Sequence, residues 1–269
     1  MRTAVLLMAL TVLLAGCASG IRDNHPRPEV WLLMGQSNMS GRGDLSELPA
    51  VFAIPDPRIM AWGNDGEPAV AREPLDSAVG QVDLISADVQ AGVGPGLAFA
   101  RVRIAQQPNR RLILVPCAKG GSAIAEWTPA DGRGTLFGSC VARARAAVRR
   151  GRLAGVLWYQ GESDARSGDD ALAWPARLER MVTALRIGLA RPDLPIVVVS
   201  LADEPVRGPY AGRYPAWQAV QAAQASLRVP GVVVVAAAGL PKGEDDLHLS
   251  TAGQILLGTR LASALELQK

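Results

Sequence analysis

The chain has 269 residues, of which 49% are hydrophobic, and its 28 basic and 25 acidic residues leave a formal charge of +3. This length and hydrophobic content allow a sizeable core in one domain or at most two. Because the charge is nearly balanced, the composition does not imply a nucleic-acid partner. The densest basic stretch, from Arg143 to Arg152, alternates with Ala and Val as the solvated face of a helix does.

The first residues have the composition of an export signal. Arg2 gives a positive start, and Ala4 to Leu14 is hydrophobic apart from Thr11. This run is shorter than the roughly 20 residues that a membrane-spanning helix needs, so it does not predict a membrane crossing. The tetrapeptide Leu14-Ala15-Gly16-Cys17 resembles the lipobox of bacterial lipoproteins, which implies cleavage before Cys17 and lipidation of its sulfur. An ordinary secretory signal that is cut nearby is the alternative.

This interpretation divides the chain into three parts. Residues 1–16 are predicted to be a lipoprotein signal peptide, residues 17–29 a short tether with Gly, Asp, Asn and two prolines, and residues 30–269 the folded domain. We therefore expect an exported bacterial lipoprotein, periplasmic or at the cell surface, which is anchored to the membrane through Cys17.

Short hydrophobic runs alternate with longer amphipathic stretches along the predicted domain. The runs are rich in β-branched residues, as expected of strands buried on both faces; they are Val30 to Met34, Arg58 to Trp62, Leu112 to Pro116, Ala154 to Trp158, Ile196 to Leu201 and Val232 to Ala236. The amphipathic stretches predict helices; they are Gly96 to Gln106, Leu136 to Arg150, Asp170 to Leu189, Pro215 to Leu227 and Thr251 to Leu267. Residues Ser40 to Gln90 are predicted to be mostly loop around one short strand. This succession predicts an α/β fold, with a parallel sheet that carries helices on both faces.

Four polar segments follow strands of this predicted sheet. Ser37 comes three residues after the first run, Cys117 to Ser122 follows the third, Tyr159 to Asp164 follows the fourth, and Asp245 to His248 comes after the last. The carboxyl ends of parallel strands lie at one edge of the sheet, and ligands bind beyond that edge. We therefore expect the four segments to meet there.

The chain has two histidines, so only His25 or His248 is available to activate a serine as a general base. His25 lies in a polar, proline-containing stretch before the first strand, which leaves His248. Asp245 precedes His248 by three residues, and within one tight turn its carboxylate can reach the ring nitrogen that does not face the serine. Asp246 is the competing acid, but its spacing turns it away from the ring. Ser37, His248 and Asp245 are therefore predicted to form a catalytic triad.

Taken together, the motifs around these residues resemble a known family. Gly-Gln-Ser-Asn-Met at Ser37, Gly-Gly-Ser at Gly120, Trp-Tyr-Gln-Gly-Glu-Ser-Asp at Gln160 and Asp-x-x-His at His248 are similar to the sequence blocks of the SGNH hydrolases. The similarity is to the branch of carbohydrate acetylesterases, which contains acetylxylan esterases and sialate O-acetylesterase-like proteins. It implies a three-layer α/β/α sandwich around a five-stranded, mainly parallel sheet. It also implies a carboxylic ester hydrolase that removes O-acetyl groups from sugars without a metal or other cofactor.

The triad chemistry needs hydrogen-bond donors aimed at the oxyanion of the tetrahedral intermediate. The backbone N–H groups of Ser37 and of either Gly120 or Gly121 are candidates. Gln160 is a further candidate, because the resemblance to the acetylesterase branch implies that its side-chain amide is a donor. We therefore expect an oxyanion hole built from Ser37, Gln160 and one of the two glycines, Gly120 or Gly121.

Several neighbouring side chains have structural alternatives to a functional role. Asn38 is predicted to be a supporting residue that braces the loop after the nucleophile. Glu162 is predicted to be a structural hydrogen bonder, with an acid role as the alternative. Trp62, Trp127 and Trp158 are expected in core or loop packing, although Trp127 could line the pocket.

Cys117 and Cys140 are the two cysteines that follow Cys17. Export to an oxidising compartment makes a disulfide between them possible, and two buried free thiols are the alternative. Neither cysteine has the companion residues of a metal site.

Two classes of function remain open from the sequence. The leading hypothesis is a Ser-His-Asp esterase that removes O-acetyl groups from xylan, sialic acid or another envelope or plant glycan. The alternative is a catalytically inactive lipoprotein of the same fold that binds a glycan. In that case Ser37 would cap a helix, and His248 would bond to Asp245 without chemistry. In both, the expected partner is an acetylated glycan and not a nucleic acid.

Overall fold

A seven-stranded sheet lies at the centre of the protein in the computed structural model, which describes residues 26–266. The strands are β1 (Glu29–Gly35), β2 (Ile59–Trp62), β3 (Pro68–Val70), β4 (Leu112–Ala118), β5 (Arg152–Tyr159), β6 (Ile196–Ser200) and β7 (Val232–Ala236). The helices are α1 (Ser37–Ser40), α2 (Ala50–Ala53), α3 (Pro95–Gln106), α4 (Leu136–Ala147), α5 (Gly168–Gly188), α6 (Trp217–Ala225) and α7 (Thr251–Ala264). All six predicted strands and all five predicted helices are present.

The strand order is β3-β2-β4-β1-β5-β6-β7. β3 runs antiparallel to β2, and every other neighbouring pair in the sheet is parallel. The predicted α/β fold is confirmed, but the expectation of five strands is wrong, because six parallel strands and one antiparallel strand are present. β3 has three residues and is too short to produce a periodic pattern. It lies in the segment from Ser40 to Gln90, for which a single short strand was predicted.

Helices cover both faces of the sheet and so make the three layers. Side chains of β1 alternate between the faces. Val30, Leu32 and Met34 pack in a cluster with α4 and α5, whereas Trp31 and Leu33 pack in a cluster with α3, α6 and α7. Because both faces are buried, β1 has a continuous apolar sequence instead of an alternating one.

Three strands end side by side at the carboxyl edge of the sheet. Gly35, the last residue of β1, is paired with Ala118 on β4 and with Tyr159 on β5. The loops that follow these strands therefore begin at adjacent points. The segment before α7 reaches the same edge, because the N–H of Leu249 donates to Asn38 Oδ1 at 2.9 Å. The predicted meeting of the four polar segments is confirmed.

Three of the longer helices are preceded by residues whose side chains cap them. Thr135, Ser167 and Ser250 precede α4, α5 and α7, and each accepts a hydrogen bond from a backbone N–H three residues further on. The boundaries predicted from periodicity differ from those of the helices by at most three residues where both ends are described. The last predicted position of the final helix, Leu267, lies outside the described residues.

Arg143 departs from the predicted solvated face of α4. Its side chain is buried, and its guanidinium donates to the two carboxylate oxygens of Asp83 at 2.8 and 3.0 Å and to Ser86 Oγ at 2.9 Å. The other arginines of the stretch are exposed, namely Arg145, Arg149, Arg150 and Arg152. The ion pair joins residues 60 positions apart, so helical periodicity could not reveal it. It fixes the long loop before α3 against α4.

The predicted signal peptide (residues 1–16), Cys17, most of the predicted tether and His25 lie outside the described residues. Within residues 26–266, no helix has the length and apolar character needed to span a bilayer. The signal peptide and the lipid anchor stay predictions.

Candidate active site

The nucleophile candidate sits on a sharp turn at the end of β1. Gly35 has φ +133°, and a Cβ at this position would collide with the backbone of Tyr159. The N–H of Gln36 donates to the Tyr159 carbonyl at 2.9 Å. The Gln36 carbonyl then accepts from the N–H groups of Met39 and Ser40, which closes the single turn α1. Ser37 is therefore held at the carboxyl edge as the first residue of α1.

The structure brings the three predicted triad residues together. Ser37 Oγ lies 2.9 Å from His248 Nε2, and His248 Nδ1 lies 2.6 Å from Asp245 Oδ2. The other carboxylate oxygen of Asp245 accepts from the N–H groups of Leu247 and His248 at 3.0 and 2.9 Å. The acid therefore orients both the ring and the backbone that carries it.

The charges in this array suit a base that is neutral at pH 7. Burial lowers the pKa of His248, Asp245 partly offsets this effect, and the pKa stays below its ordinary value. Burial alone would raise the pKa of Asp245, but hydrogen bonds from His248 and Leu247 outweigh it and hold that pKa below its usual value. A neutral ring can accept a proton from Ser37, and the ionised Asp245 then stabilises the imidazolium.

Asp246 faces away from the ring, as its spacing predicts. Its Oδ2 accepts from the N–H groups of Val206 and Arg207 at 2.8 and 3.0 Å, and its Oδ1 lies 2.9 Å from Lys242 Nζ. The hydrogen bond from Lys242 is the largest of the effects that hold the pKa of Asp246 far below its usual value. Asp246 therefore fixes the loop after β6 instead of competing with Asp245 for His248.

A cleft of about 620 Å³ opens beside His248. The ring of Tyr210 lines it and stands perpendicular to the His248 ring, with centroids 5.9 Å apart. Most of the other lining side chains are charged or polar, among them Arg42, Asp44, Glu47, Gln90, Lys242 and Glu244. The cleft therefore presents hydrogen-bonding groups to whatever occupies it.

Two backbone N–H groups are available as oxyanion donors. The N–H of Ser37 is the first of α1, and the N–H of Gly121 lies in the loop after β4. Neither group has an acceptor within residues 26–266. The N–H of Gly120 is occupied, because it donates to Asp88 Oδ2 at 2.9 Å. The sequence left Gly120 and Gly121 as alternatives, and this geometry favours Gly121.

Gln160 has a different role from the predicted one. Its side chain is fully buried, and its amide nitrogen donates to Asp164 and to the Ser122 carbonyl, the latter at 3.1 Å. Its Oε1 accepts from the indole N–H of Trp174 at 2.8 Å. Both amide hydrogens have protein acceptors, so the geometry does not support an oxyanion role. Gln160 instead ties the loop after β4 to the loop after β5.

A comparison with known proteins identifies the family of this chain. Residues 27–266 match the family model described as carbohydrate esterase, sialic acid-specific acetylesterase. The chain belongs to this family of carbohydrate esterases. The enzyme is therefore a carboxylic ester hydrolase, which confirms the resemblance seen in the sequence motifs.

Individual relatives agree with this assignment. A probable carbohydrate esterase of Arabidopsis thaliana, At4g34215, is 37% identical over 260 residues, which cover 91% of this chain and 92% of the relative. The X-ray structure of that protein matches with a TM-score of 0.77 at 33% identity and covers 89% of this chain and 98% of its own. A probable 9-O-acetyl-N-acetylneuraminic acid deacetylase of Escherichia coli is 32% identical over 113 residues, 35% of this chain and 34% of the relative. The crystal structure of NanS shares the fold at a TM-score of 0.67 and 20% identity, covering 91% of this chain and 98% of its own.

Asn38 supports the esterase site through hydrogen bonds to the residues on either side of His248. Its Oδ1 accepts from Leu249, and its Nδ2 donates to the Leu247 carbonyl at 3.4 Å and to Glu162 Oε1 at 2.9 Å. The backbone on both sides of His248 is thus bonded to the residue that follows Ser37. This is the bracing predicted for Asn38, and it makes Glu162 a hydrogen-bond acceptor within the support.

Glu162 is buried, and its second carboxylate oxygen has no hydrogen-bond partner within residues 26–266. Burial raises its pKa to about 7, above the value of roughly 4.3 for an exposed glutamate. The folded state therefore binds this proton more tightly than the unfolded state does. The contribution to stability is fully present below pH 4.3 and is lost as the pH rises through 7.

We expect the Glu162→Gln variant to remove this pH dependence, because glutamine keeps an acceptor for Asn38 without a charge to bury. The variant should gain stability relative to the wild type, on the order of 2 kcal/mol, between pH 5 and pH 8. Urea unfolding at the two pH values measures the change, with Glu47→Gln as the control at an exposed glutamate. A difference between variant and wild type that is the same at both pH values would contradict the burial argument.

The remaining predicted residues lie in the framework around the site. Cys117 and Cys140 form a disulfide, with their Cα atoms 5.4 Å apart, and so join β4 to α4. Trp127 is fully buried against Trp158, with perpendicular rings 5.3 Å apart, and does not line the cleft. Trp62 is also in the core. Within residues 26–266, no group of three or more His, Cys, Asp or Glu residues is arranged to hold a metal ion.

Three residues of the site were missed from the sequence. Asp164 accepts hydrogen bonds from Gln160 and from the N–H of Ile124, the latter at 3.0 Å. Tyr210 lines the cleft, and Asp88 binds Gly120. Asp164 ends the conspicuous polar segment from Tyr159 to Asp164, and that motif could have indicated its role. Asp88 and Tyr210 lie in loops without regular spacing and gave none.

Proposed function

We propose that the enzyme is a serine esterase that removes O-acetyl groups from carbohydrate by a Ser37, His248 and Asp245 mechanism. The observation that carries this proposal is the continuous contact from Ser37 Oγ through the His248 ring to Asp245, at 2.9 and 2.6 Å. This is the geometry that an activated serine nucleophile needs.

In the first half of the reaction, Ser37 Oγ attacks the acetyl carbonyl carbon while His248 Nε2 takes its proton. The electron pair of the carbonyl moves to oxygen, and the N–H groups of Ser37 and Gly121 stabilise the resulting oxyanion. Collapse of the intermediate breaks the bond to the sugar oxygen, which receives the proton from His248. The products of this half are the deacetylated sugar and acetyl-Ser37.

In the second half, water attacks acetyl-Ser37 while His248 Nε2 accepts a proton from it. The same two N–H groups stabilise the second oxyanion. Ser37 Oγ then leaves with the proton from His248, and acetate is released. Asp245 stays ionised in both halves and holds the ring so that Nε2 faces Ser37.

The family and the cleft both support a carbohydrate substrate. The family is named for carbohydrate and sialic acid esters. Charged and polar side chains line the cleft beside His248, and such groups can bind the hydroxyls of a sugar. Acetylated xylan, O-acetyl sialic acid and other acetylated envelope or plant glycans are therefore the candidate substrates.

Acetate release tests the proposed function. The purified enzyme is incubated with acetylated xylan, O-acetyl sialic acid, O-acetylated peptidoglycan and p-nitrophenyl acetate, and free acetate is measured. We expect release from at least one glycan, and a loss on the order of 10⁴-fold or more on that glycan with the Ser37→Ala variant. A wild type that binds an acetylated glycan but releases no acetate from any ester would instead favour the inactive glycan-binding protein.

We also propose that the enzyme is exported and anchored through a lipid on Cys17. The tetrapeptide that ends in Cys17 and the hydrophobic run before it support this proposal. In a bacterial host, we expect labelled fatty acid to be incorporated into the wild type and not into Cys17→Ser, and the variant should leave the membrane fraction. A Cys17→Ser variant that still carries the label would contradict the assignment.

A further inference from the structure

Asp88 lies where three parts of the site meet. Its Oδ2 accepts hydrogen bonds from the Ser40 hydroxyl at 3.0 Å, from the Arg42 guanidinium at 2.7 Å and from the N–H of Gly120 at 2.9 Å. Ser40 is the last residue of α1, and Ser37 is the first. A single carboxylate oxygen therefore connects the nucleophile helix to the glycine loop after β4.

The residue before Gly120 is also fixed, through a hydrogen bond to the last residue of β1. The N–H of Lys119 donates to the Gly35 carbonyl at 2.9 Å. A Cβ on Gly120 would collide with the Asp88 carboxylate, so the absence of a side chain permits this close approach. With two successive N–H groups fixed in this way, Gly121 is the next residue, and its N–H has no acceptor within residues 26–266.

We propose that Asp88 is a positioning residue of the esterase reaction, which holds the N–H of Gly120 so that the N–H of Gly121 is directed to the oxyanion. The inference rests on the proposed function and assigns this residue a part in it. Donors that are already in place when the charge develops need no reorganisation, and this is the source of their large effect on the barrier. Asp88 acts through the loop and does not touch the reacting atoms.

The ion pair of Asp88 with Arg42 also gives this role an electrostatic signature. Only 11% and 13% of the two side chains is exposed, and both charges act on His248. Burial lowers the pKa of His248 most, Arg42 lowers it further, and Asp88 and Asp245 raise it. Tyr210 faces the ring as well, and the cleft beside it carries the charged side chains Asp44, Glu47, Lys242 and Glu244. Loss of either member of the ion pair leaves the other uncompensated near the ring.

The kinetic test compares Asp88→Ala and Asp88→Asn with the wild type on p-nitrophenyl acetate. Misplacement of an oxyanion donor costs on the order of 10²-fold in kcat. We expect a loss of about this size for Asp88→Ala and a smaller loss for Asp88→Asn, which keeps an acceptor oxygen. KM should change little in both variants.

Asp56→Asn is the matched control, because Asp56 also pairs with an arginine, Arg58, at 2.6 Å. It should retain wild-type kcat, and an Asp88→Ala variant that does so as well would overturn the proposal.

The pH profile of kcat/KM gives a readout that a purely structural residue would not move. Its acid limb reports the pKa of His248 in the free enzyme. We expect the limb to shift to lower pH in Asp88→Asn, where the Arg42 charge is uncompensated, and to higher pH in Arg42→Gln, where the Asp88 charge is uncompensated. Shifts in the same direction, or none, would overturn the electrostatic part of the inference.

Amide hydrogen exchange tests the positioning contact without any turnover. We expect the peptide that contains residues 118–123 to exchange faster in Asp88→Ala than in the wild type, and Asp56→Asn to match the wild type. Unchanged exchange in Asp88→Ala would overturn the proposal. A wild type without Ser37-dependent turnover but with this exchange pattern would reject the proposed function and retain the contact. The two failures are therefore distinguishable.

Discussion

Replacement of Ser37 by alanine is expected to reduce kcat for acetyl ester hydrolysis by on the order of 10⁴-fold or more. The variant lacks the hydroxyl oxygen that lies 2.9 Å from His248 Nε2, whereas the N–H of residue 37, a proposed oxyanion donor, remains. Residual rate enhancement from the oxyanion donors should therefore survive at a low level. Acetate release measured over several hours, against a heat-inactivated control, quantifies the loss.

The companion variant His248→Ala tests whether the two residues act as a unit. If they do, the double variant should be no slower than the slower single variant, because either change alone removes the activated nucleophile. Losses that multiply in the double variant would show independent roles. Unfolding curves of all three variants check that the fold is retained.

Replacement of Asp245 by asparagine is expected to lower kcat by on the order of 10⁴-fold with a small change in KM. Asparagine can keep an oxygen for the backbone N–H groups of Leu247 and His248, so the turn should persist. Its amide would donate to Nδ1, however, and that bond favours the ring tautomer with a proton on the nitrogen that faces Ser37. A ring in that state cannot accept the serine proton. The ratio of kcat between variant and wild type above pH 7, where the ring is neutral, measures this effect.

The adjacent acid provides a matched control for the charge. Asp246→Asn removes the same charge one residue away, but Asp246 bonds to Lys242 and to the backbone at Val206 and Arg207. We expect its kcat to stay near the wild-type value while the free energy of unfolding falls by about 1 to 3 kcal/mol. If Asp246→Asn abolishes turnover and Asp245→Asn does not, the assignment of the acid is reversed.

The framework of the fold and the proximity of Ser37, His248 and Asp245 could be predicted from the sequence. Runs such as Val30 to Met34 are apolar on both faces, which indicates a buried parallel strand. The topology of such a sheet brings loops together at one edge wherever they lie along the chain. With two histidines in the sequence, elimination then left His248, and the spacing of Asp245 supplied the acid.

The remaining features depend on contacts that periodicity does not encode. β3 pairs with β2 through three residues only. The side chain of Arg143 is buried because it forms an ion pair with Asp83, which lies in a loop far away along the chain. The family resemblance predicts that the Gln160 amide donates to the oxyanion, whereas in the structure this amide donates to Asp164 and Ser122. Asp88 was not singled out at all. In each case the deciding interaction joins side chains from separate loops, and its partner cannot be identified before the backbone is placed.

The distance along the chain between Ser37 and His248, 211 positions, also governs when the enzyme can first act. During synthesis the serine emerges early, with neither the ring nor the acid available to it. The turn from Asp245 to His248 is synthesised after β7, and it is held in place by Asn38 and by α7, which packs against α3. A nascent chain that has not yet been synthesised through His248 is therefore inert, and hydrolysis can begin only after Ser37, Asp245 and His248 have come together.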